Sequence, residues 1–329
     1  MKFLPTILLL LPLLTACNSE LDFGGDTPGT KNAAIGFSNN MKITRAEATL
    51  TEIQTNGFSV WGGYDGNTVF DGRIVTYDDS NLEWGYDNTE YWTYNIYDFH
   101  GVYPTPVANS TDKNYTVTWN NTTKELKIEN FNASNNIDLL HAHTRVDNQN
   151  GQSTSPVTMN FSHILTNVNV ELKKQKKQEE QEEQEEQEIK IVKAAILLPT
   201  VGDYSWPGTN SIKWSVDEFS TKTLTFDYSE NKVLSNTQYT PIIENLLCIP
   251  QEITANAITL RVDYSFKPVS SAEITENREY YVTLPAGTWN PGDKVVYQGV
   301  IDAHMNIVFG APTVEEWGED MAGGTIIIK

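Results

Sequence analysis

Ile258, Leu260, Val262, Tyr264 and Phe266 alternate with Thr259, Arg261, Asp263 and Ser265. Side chains of an extended strand point to opposite faces with period two, so this stretch reads as a half-buried strand with one apolar face. The same period recurs in Tyr115/Val117/Trp119, Leu126/Ile128, Val157/Met159/Phe161, Val168/Val170/Leu172 and Leu224/Phe226/Tyr228. Turn residues separate the runs: Asp65-Gly66-Asn67, Asn120-Asn121, Asn150-Gly151, Trp206-Pro207-Gly208 and Asn290-Pro291-Gly292. From Ala33 onward no segment holds a convincing helical period over three turns. Many short strands punctuated in this way predict an all-β body of sandwiches or barrels. A length of 329 residues predicts two domains.

The start of the chain is different. Met1-Lys2 supplies a positive charge, and Phe3 to Leu14 is an apolar run broken only by Pro5, Thr6 and Pro12. A membrane-spanning helix needs about 20 apolar residues, and a secretory signal needs fewer. The run ends in Leu14-Thr15-Ala16-Cys17, which is similar to the lipobox of bacterial lipoproteins. Residues 1–16 are therefore expected to be a signal peptide and Cys17 the lipidated residue, with the bilayer as a partner through its acyl chains. Each buried methylene adds about 0.8 kcal/mol of anchoring. The alternative is an ordinary signal peptide with a chance cysteine. Residues 17–32, with Gly24-Gly25 and Pro28-Gly29, read as a flexible tether. Cys17 and Cys248 are the two cysteines, so acylation of the first leaves no intrachain disulfide. Cys248 lies in the apolar run Asn245 to Pro250 and reads as a small buried hydrophobe. The fold then rests on core packing.

A formal net charge of −20 argues against nucleic acid as a partner, because phosphates would be repelled. Part of that charge sits in Lys173 to Glu188, which has no apolar residue. This low-complexity insertion, 173–188, lies between Val168–Leu172 and Ile189–Val192 and is expected to form the extended tip of a hairpin. A charged docking arm is the other reading.

No Gly-x-Ser-x-Gly elbow, His-Glu-x-x-His pair, phosphate loop or dinucleotide fingerprint is present. Of the five histidines, His141 and His143 are spaced to share one strand face. Their flanks offer only Asp138 and Asp147 as further ligands, too few for an expected metal site. No cofactor and no enzymatic activity are expected. Trp84, Tyr86, Tyr91, Trp92, Tyr94, Tyr97 and Phe99 crowd one stretch. Exposed rings there, Trp84 and Trp92 above all, would stack on a glycan; alternating members would instead fill a core.

Several segments together resemble the fimbrillin family, pilin-like subunits of type V pili in Gram-negative anaerobes. They are Gly57-Phe58-Ser59-Val60-Trp61, Tyr91-Trp92, and Tyr97-Asp98-Phe99-His100-Gly101-Val102-Tyr103-Pro104. Asn136 to Ala142 and Val157 to Val168 continue the series, the latter containing Phe161-Ser162-His163. The second half contributes Leu247-Cys248-Ile249-Pro250-Gln251, Tyr281-Val282-Thr283-Leu284-Pro285, Trp289-Asn290-Pro291-Gly292 and Val314-Glu315-Glu316-Trp317. The lipobox fits as well, since fimbrillins are exported as lipoproteins.

The resemblance implies two transthyretin-like β-sandwich domains in tandem, placed at 33–158 and 159–329, with His163 a structural position. It also implies assembly by strand addition at the outer-membrane surface, with other fimbrial subunits as partners. A trypsin-like protease removes the N-terminal strand, and the C-terminal strand of another subunit fills the groove. Here the removable strand would be Ala33–Phe37, with Arg45 the first candidate cleavage site and Lys42 the next. The donor would be the Ile326, Ile327 and Ile328 strand, whose consecutive isoleucines need both faces covered. A strand closing its own sheet meets that need too. A glycan or protein receptor is a further expected partner, and stalk, tip and anchor roles all remain open.

Overall fold

The computed structural model describes residues 33–40, 50–107, 110, 113–151, 156–176, 188–207, 213–267 and 275–317. Its strands begin with β1 (Phe37–Asn40), then helix α1 (Leu50–Asn56), β2 (Phe58–Tyr64), β3 (Asn67–Asp78), β4 (Glu83–Gly85) and β5 (Ile96–Tyr103). Next come β6 (Thr116–Asn120), β7 (Glu125–Asn132), β8 (Leu140–Asp147), β9 (Val157–Asn160) and β10 (Ser162–His163). The second half opens with β11 (Thr166–Lys174), β12 (Ile189–Pro199), β13 (Val201–Trp206), β14 (Lys213–Val216), β15 (Thr221–Val233) and β16 (Thr240–Cys248). It closes with β17 (Gln251–Ile253), β18 (Thr259–Phe266), β19 (Glu276–Thr283), β20 (Gly287–Trp289), β21 (Asp293–Ile301), β22 (Ile307–Phe309) and β23 (Thr313–Glu316). The expected all-β class is what the chain adopts.

In the second half two sheets face each other. One is ordered β16-β11-β21-β22, with β23 also on β21; the other is β15-β12-β18-β19. Val168, Val170 and Leu172 from the first interleave with Ile196, Leu198, Leu260, Val262 and Tyr264 from the second in one buried cluster. The period-two pattern predicts this, because each strand turns its apolar face inward and its polar face to solvent. Burying a side chain of this kind contributes about 1.5–3 kcal/mol.

The first half is built on a six-stranded sheet, β10-β8-β5-β2-β3-β4. Its central strands are covered on both sides: every residue from Tyr97 to Tyr103 is buried, as is every residue from Phe58 to Gly63. One face packs in a cluster with Phe37, Phe70, Phe99 and Met159. The other faces the four-stranded sheet β14-β13-β7-β6, in which β13 pairs with β7. That pairing joins strands from either side of residue 158.

One expectation is corrected. β11 pairs with β16 and β21, whereas β12 pairs with β15 and β18, so the strands flanking the charged insertion belong to different sheets. The segment therefore crosses between sheets and is no hairpin tip. Residues 177–187 of it lie outside the described residues. The one α-helix among the described residues, α1, is seven residues long, and because only Ile53 in it is buried it carries no helical period in the sequence. Gly57 ends it with φ +71°, its N–H donating to Ile53 O at 2.8 Å. A Cβ at Gly57 would sit 2.6 Å from Val75 O, so the position favours glycine twice over.

Candidate functional site: a two-sided groove around the N-terminal strand

Residues 33–40 form a strand segment with neighbours on both edges. On one edge Ala34 bridges Tyr91 in antiparallel fashion, with Ile35 N–H donating to Glu90 O at 2.8 Å and Trp92 N–H to Ala33 O at 2.9 Å. On the other, β1 runs parallel to β9, with Phe37 opposite Val157 and Ser38 opposite Thr158. Val157 N–H donates to Gly36 O at 2.7 Å, and Ser38 Oγ to Thr158 Oγ1 at 3.2 Å. Main-chain bonds of this kind are the common currency of strand addition, since any sequence can make them.

Side chains supply the selectivity. Ile35 is 1% exposed and Phe37 3%. The Phe37 ring meets Phe70 edge-on at 5.2 Å between centroids, and Tyr86 and Phe99 at 5.7 Å each. Such aromatic pairs add about 0.5–1.5 kcal/mol beyond area burial. Tyr86 serves the strand directly, its hydroxyl donating to Ile35 O at 2.6 Å and accepting from Glu90 N–H at 3.2 Å. Burial holds the Tyr86 hydroxyl above its ordinary pKa, so it stays a donor. Arg73 lies over the Phe70 and Tyr86 rings and donates to Asn88 O at 2.8 Å and Glu90 Oε1 at 3.1 Å. It fastens the 86–90 loop that forms one wall of the groove. Removal of the strand would take away the Phe37 ring that packs on Phe70, Tyr86 and Phe99.

Lys42 and Arg45, which follow this strand in sequence, lie outside the described residues, as do Cys17 and the candidate donor residues Ile326, Ile327 and Ile328. Of the two readings of the aromatic stretch, Trp92 follows the core-filling one and not the glycan-stacking one: it is 2% exposed and packs edge-on against Tyr97 at 4.9 Å and Phe99 at 5.8 Å. A buried ring offers no face to a sugar. Trp84 is half-buried between Phe58 and Tyr77, each 5.1 Å away. The rings that do reach solvent are Tyr91 (57% exposed) and Tyr94 (61%). Cys248 is a free, buried thiol whose pKa is raised by burial.

His163 lies beside Asp138, Nδ1 to Oδ2 2.8 Å, and stacks on Trp317 at 4.0 Å. Sequence reasoning missed a second histidine group. His141 and His143 share a face of β8 as expected, but His100, opposite His143 on β5, completes a cluster. No group of metal-binding side chains suited to an ion occurs among the described residues. No helix among them is long and apolar enough to cross a membrane.

The profile of a family described as fimbrillin-like matches residues 39–317. No curated protein matches the chain. Among solved structures, a fimbrial protein from Bacteroides vulgatus is similar with a TM-score of 0.66 and 20% identity, over 87% of this chain and 100% of that one. That likeness is one of fold. A proposed cell adhesion protein from Bacteroides uniformis has a TM-score of 0.47 and 15% identity, over 87% of this chain and 99% of that one.

Proposed function

The chain belongs to the fimbrillin-like family, and from that premise we propose that it is a structural and adhesive subunit of a surface fimbria, assembled by exchange of its N-terminal strand. The observation that carries this reading is the setting of residues 33–40: a strand bonded on both edges, with Ile35 and Phe37 seated in an apolar groove. Such a strand is replaceable by another of like pattern, because its main-chain bonds are independent of sequence.

In this account the chain is exported as a lipoprotein, acylated at Cys17, and presented at the outer membrane. A trypsin-like protease cuts at Arg45, or at Lys42, and frees the strand that precedes the cut. The groove then accepts the C-terminal strand of another subunit, with Ile326, Ile327 and Ile328 as this chain's own donor residues. The tandem arrangement of two sandwich domains divided near residue 158 belongs to the same proposal. Its support is that one core cluster is drawn from residues after 165 and another from residues before 162, while β13 and β14 cross the division to complete the first domain's second sheet.

The test is strand exchange in solution. The Cys17→Ser chain is cut with a trypsin-like protease and incubated with a labelled peptide of residues 318–329. Peptide capture after cutting, and none before, supports the reading. Stable retention of residues 33–40 after the cut, with no capture and no polymer, overturns it. Arg45→Ala with Lys42→Ala should abolish both capture and polymer formation.

A further inference from the structure

We propose that the joint between the six-stranded sheet and the β14-β13-β7-β6 sheet is acid-labile, because its facing surface is a histidine ladder with too few anions to hold it protonated.

The ladder follows from register. Asp98 and His100 point to the same face of β5, and they lie opposite Arg145 and His143 on β8. His141, two residues before His143, shares that face. Across the gap stand Tyr204 and Trp206 of β13 and Trp119 of β6. Tyr204 Oη lies 3.0 Å from His141 Nδ1, and His141 Nε2 lies 3.0 Å from His100 Nδ1. His143 lies against Trp206 at 3.9 Å between ring centroids, and His100 lies 4.7 Å from both Trp119 and Trp206. His100 is fully buried, and its Nε2 has no hydrogen-bond partner among the described residues.

A contact between two imidazole nitrogens holds one proton. The Tyr204–His141–His100 chain is satisfied while both rings are neutral, and one added proton is a buried charge with no free carboxylate to meet it. A proton on each ring sets N–H against N–H. The charged and titratable groups that face the ladder are Asp98 and His100 from β5, His141, His143 and Arg145 from β8, and Tyr204 from β13. Lys124, in the turn after β6, lies 6.0 Å over the far ring Trp119. Asp98 is the one carboxylate of this set, and it is already engaged by His143 Nε2 at 3.2 Å and Arg145 Nη1 at 3.9 Å. The indole faces attract a cation weakly; burying an unpaired charge weighs more.

Burial accordingly holds His141 down to about pKa 3 and His100 well below its ordinary value. His143 is lowered by burial, with Asp98 acting in the opposite sense. The sign follows from linkage. Once the joint opens the rings regain a pKa of about 6.5, so the open state binds protons first as pH falls. Stability of the joint is complete above about pH 6.5 and is lost on acidification toward the closed-state values. Between pH 6 and pH 5 each such ring raises the opening constant about eightfold, so His100 and His141 together give about 60-fold.

The experiment is hydrogen exchange of the Cys17→Ser chain at pH 7.0, 6.0 and 5.0, corrected for intrinsic exchange rates. Amides of β6, β13 and β14 should open about 60-fold more readily at pH 5.0 than at 6.0, while those of β12 and β18 change far less. Single variants His100→Gln and His141→Gln should each remove about eightfold of that dependence. Uniform loss across all sheets, or an unchanged pH dependence in variants that fold, overturns the proposal. If the variants do not fold, imidazole NMR titration of the unsubstituted chain decides: His100 and His141 titrating near pH 6.5 in the folded state would refute it, and no titration above pH 5 would support it.

Discussion

Replacing Phe37 with alanine probes how the N-terminal strand is held. The ring is 3% exposed and sits among Phe70, Tyr86 and Phe99. Removing a buried phenylalanine costs about 3–5 kcal/mol, the sum of lost transfer free energy and the cavity left behind. The main-chain bonds of Ile35 to Glu90, Trp92 to Ala33 and Val157 to Gly36 do not depend on the ring. If the segment is displaceable as a unit, the loss falls on its local hold, and its release becomes roughly 10²- to 10⁴-fold easier. Native-state hydrogen exchange reads this directly. The amides of Ile35, Trp92 and Val157 should exchange faster by that factor, while those of Leu260 and Val262 in β18 stay near their original rates. Equal acceleration in β18 would refute the reasoning, because the segment would then be inseparable from one cooperative core. No acceleration anywhere would refute the packing argument itself.

Further outcomes follow from the same geometry. Tyr86→Phe removes the hydroxyl that donates to Ile35 O; it should weaken the strand's hold by about 0.5–1.5 kcal/mol, measured as faster exchange against a peptide of residues 33–40. Trp92→Ala should behave as a core deletion, lowering stability by about 3–5 kcal/mol in urea unfolding, because its ring is buried. In the Cys17→Ser chain, Cys248 should resist a thiol reagent at pH 8 until the protein is unfolded, since it is 0% exposed and burial raises its pKa. Gly62→Ala should destabilise by about 1–3 kcal/mol, because the added Cβ would meet Asp98 O at 2.4 Å, a backbone atom that cannot rotate away.

Strands were legible where one face is wet. β18, β15 and β7 carry their period openly, and each forms where the alternation puts it. β5 and β2 are buried on both faces, so their sequences mix aromatic, polar and glycine residues without a clean period. The aromatic run shows the same limit. Tyr91 and Tyr94 face solvent while Trp92, Tyr97 and Phe99 are buried, and this division depends on which strand crosses above, not on ring size. Pairing was less legible than strand position. β11 and β12 are neighbours in sequence, but sequence neighbours pair only about two-thirds of the time, and the long charged segment lets the chain change sheets. The histidine ladder was half visible: two-residue spacing joined His141 to His143, but the 41-residue separation of His100 from His141 is closed only by the β5–β8 register. The groove was legible as a short strand near Ala33, and not as a strand bonded on both edges, because Glu90, Trp92 and Val157 are distant in sequence.

Strand replacement leaves a covalent record that mass spectrometry of surface-sheared material from the native host reads most directly. The account predicts high-mass ladders whose subunits begin at Ala46, or at Ile43 if Lys42 is the site cut, and lack residues 33–40. A single-sized species that begins at an acylated Cys17 and retains those residues would contradict it.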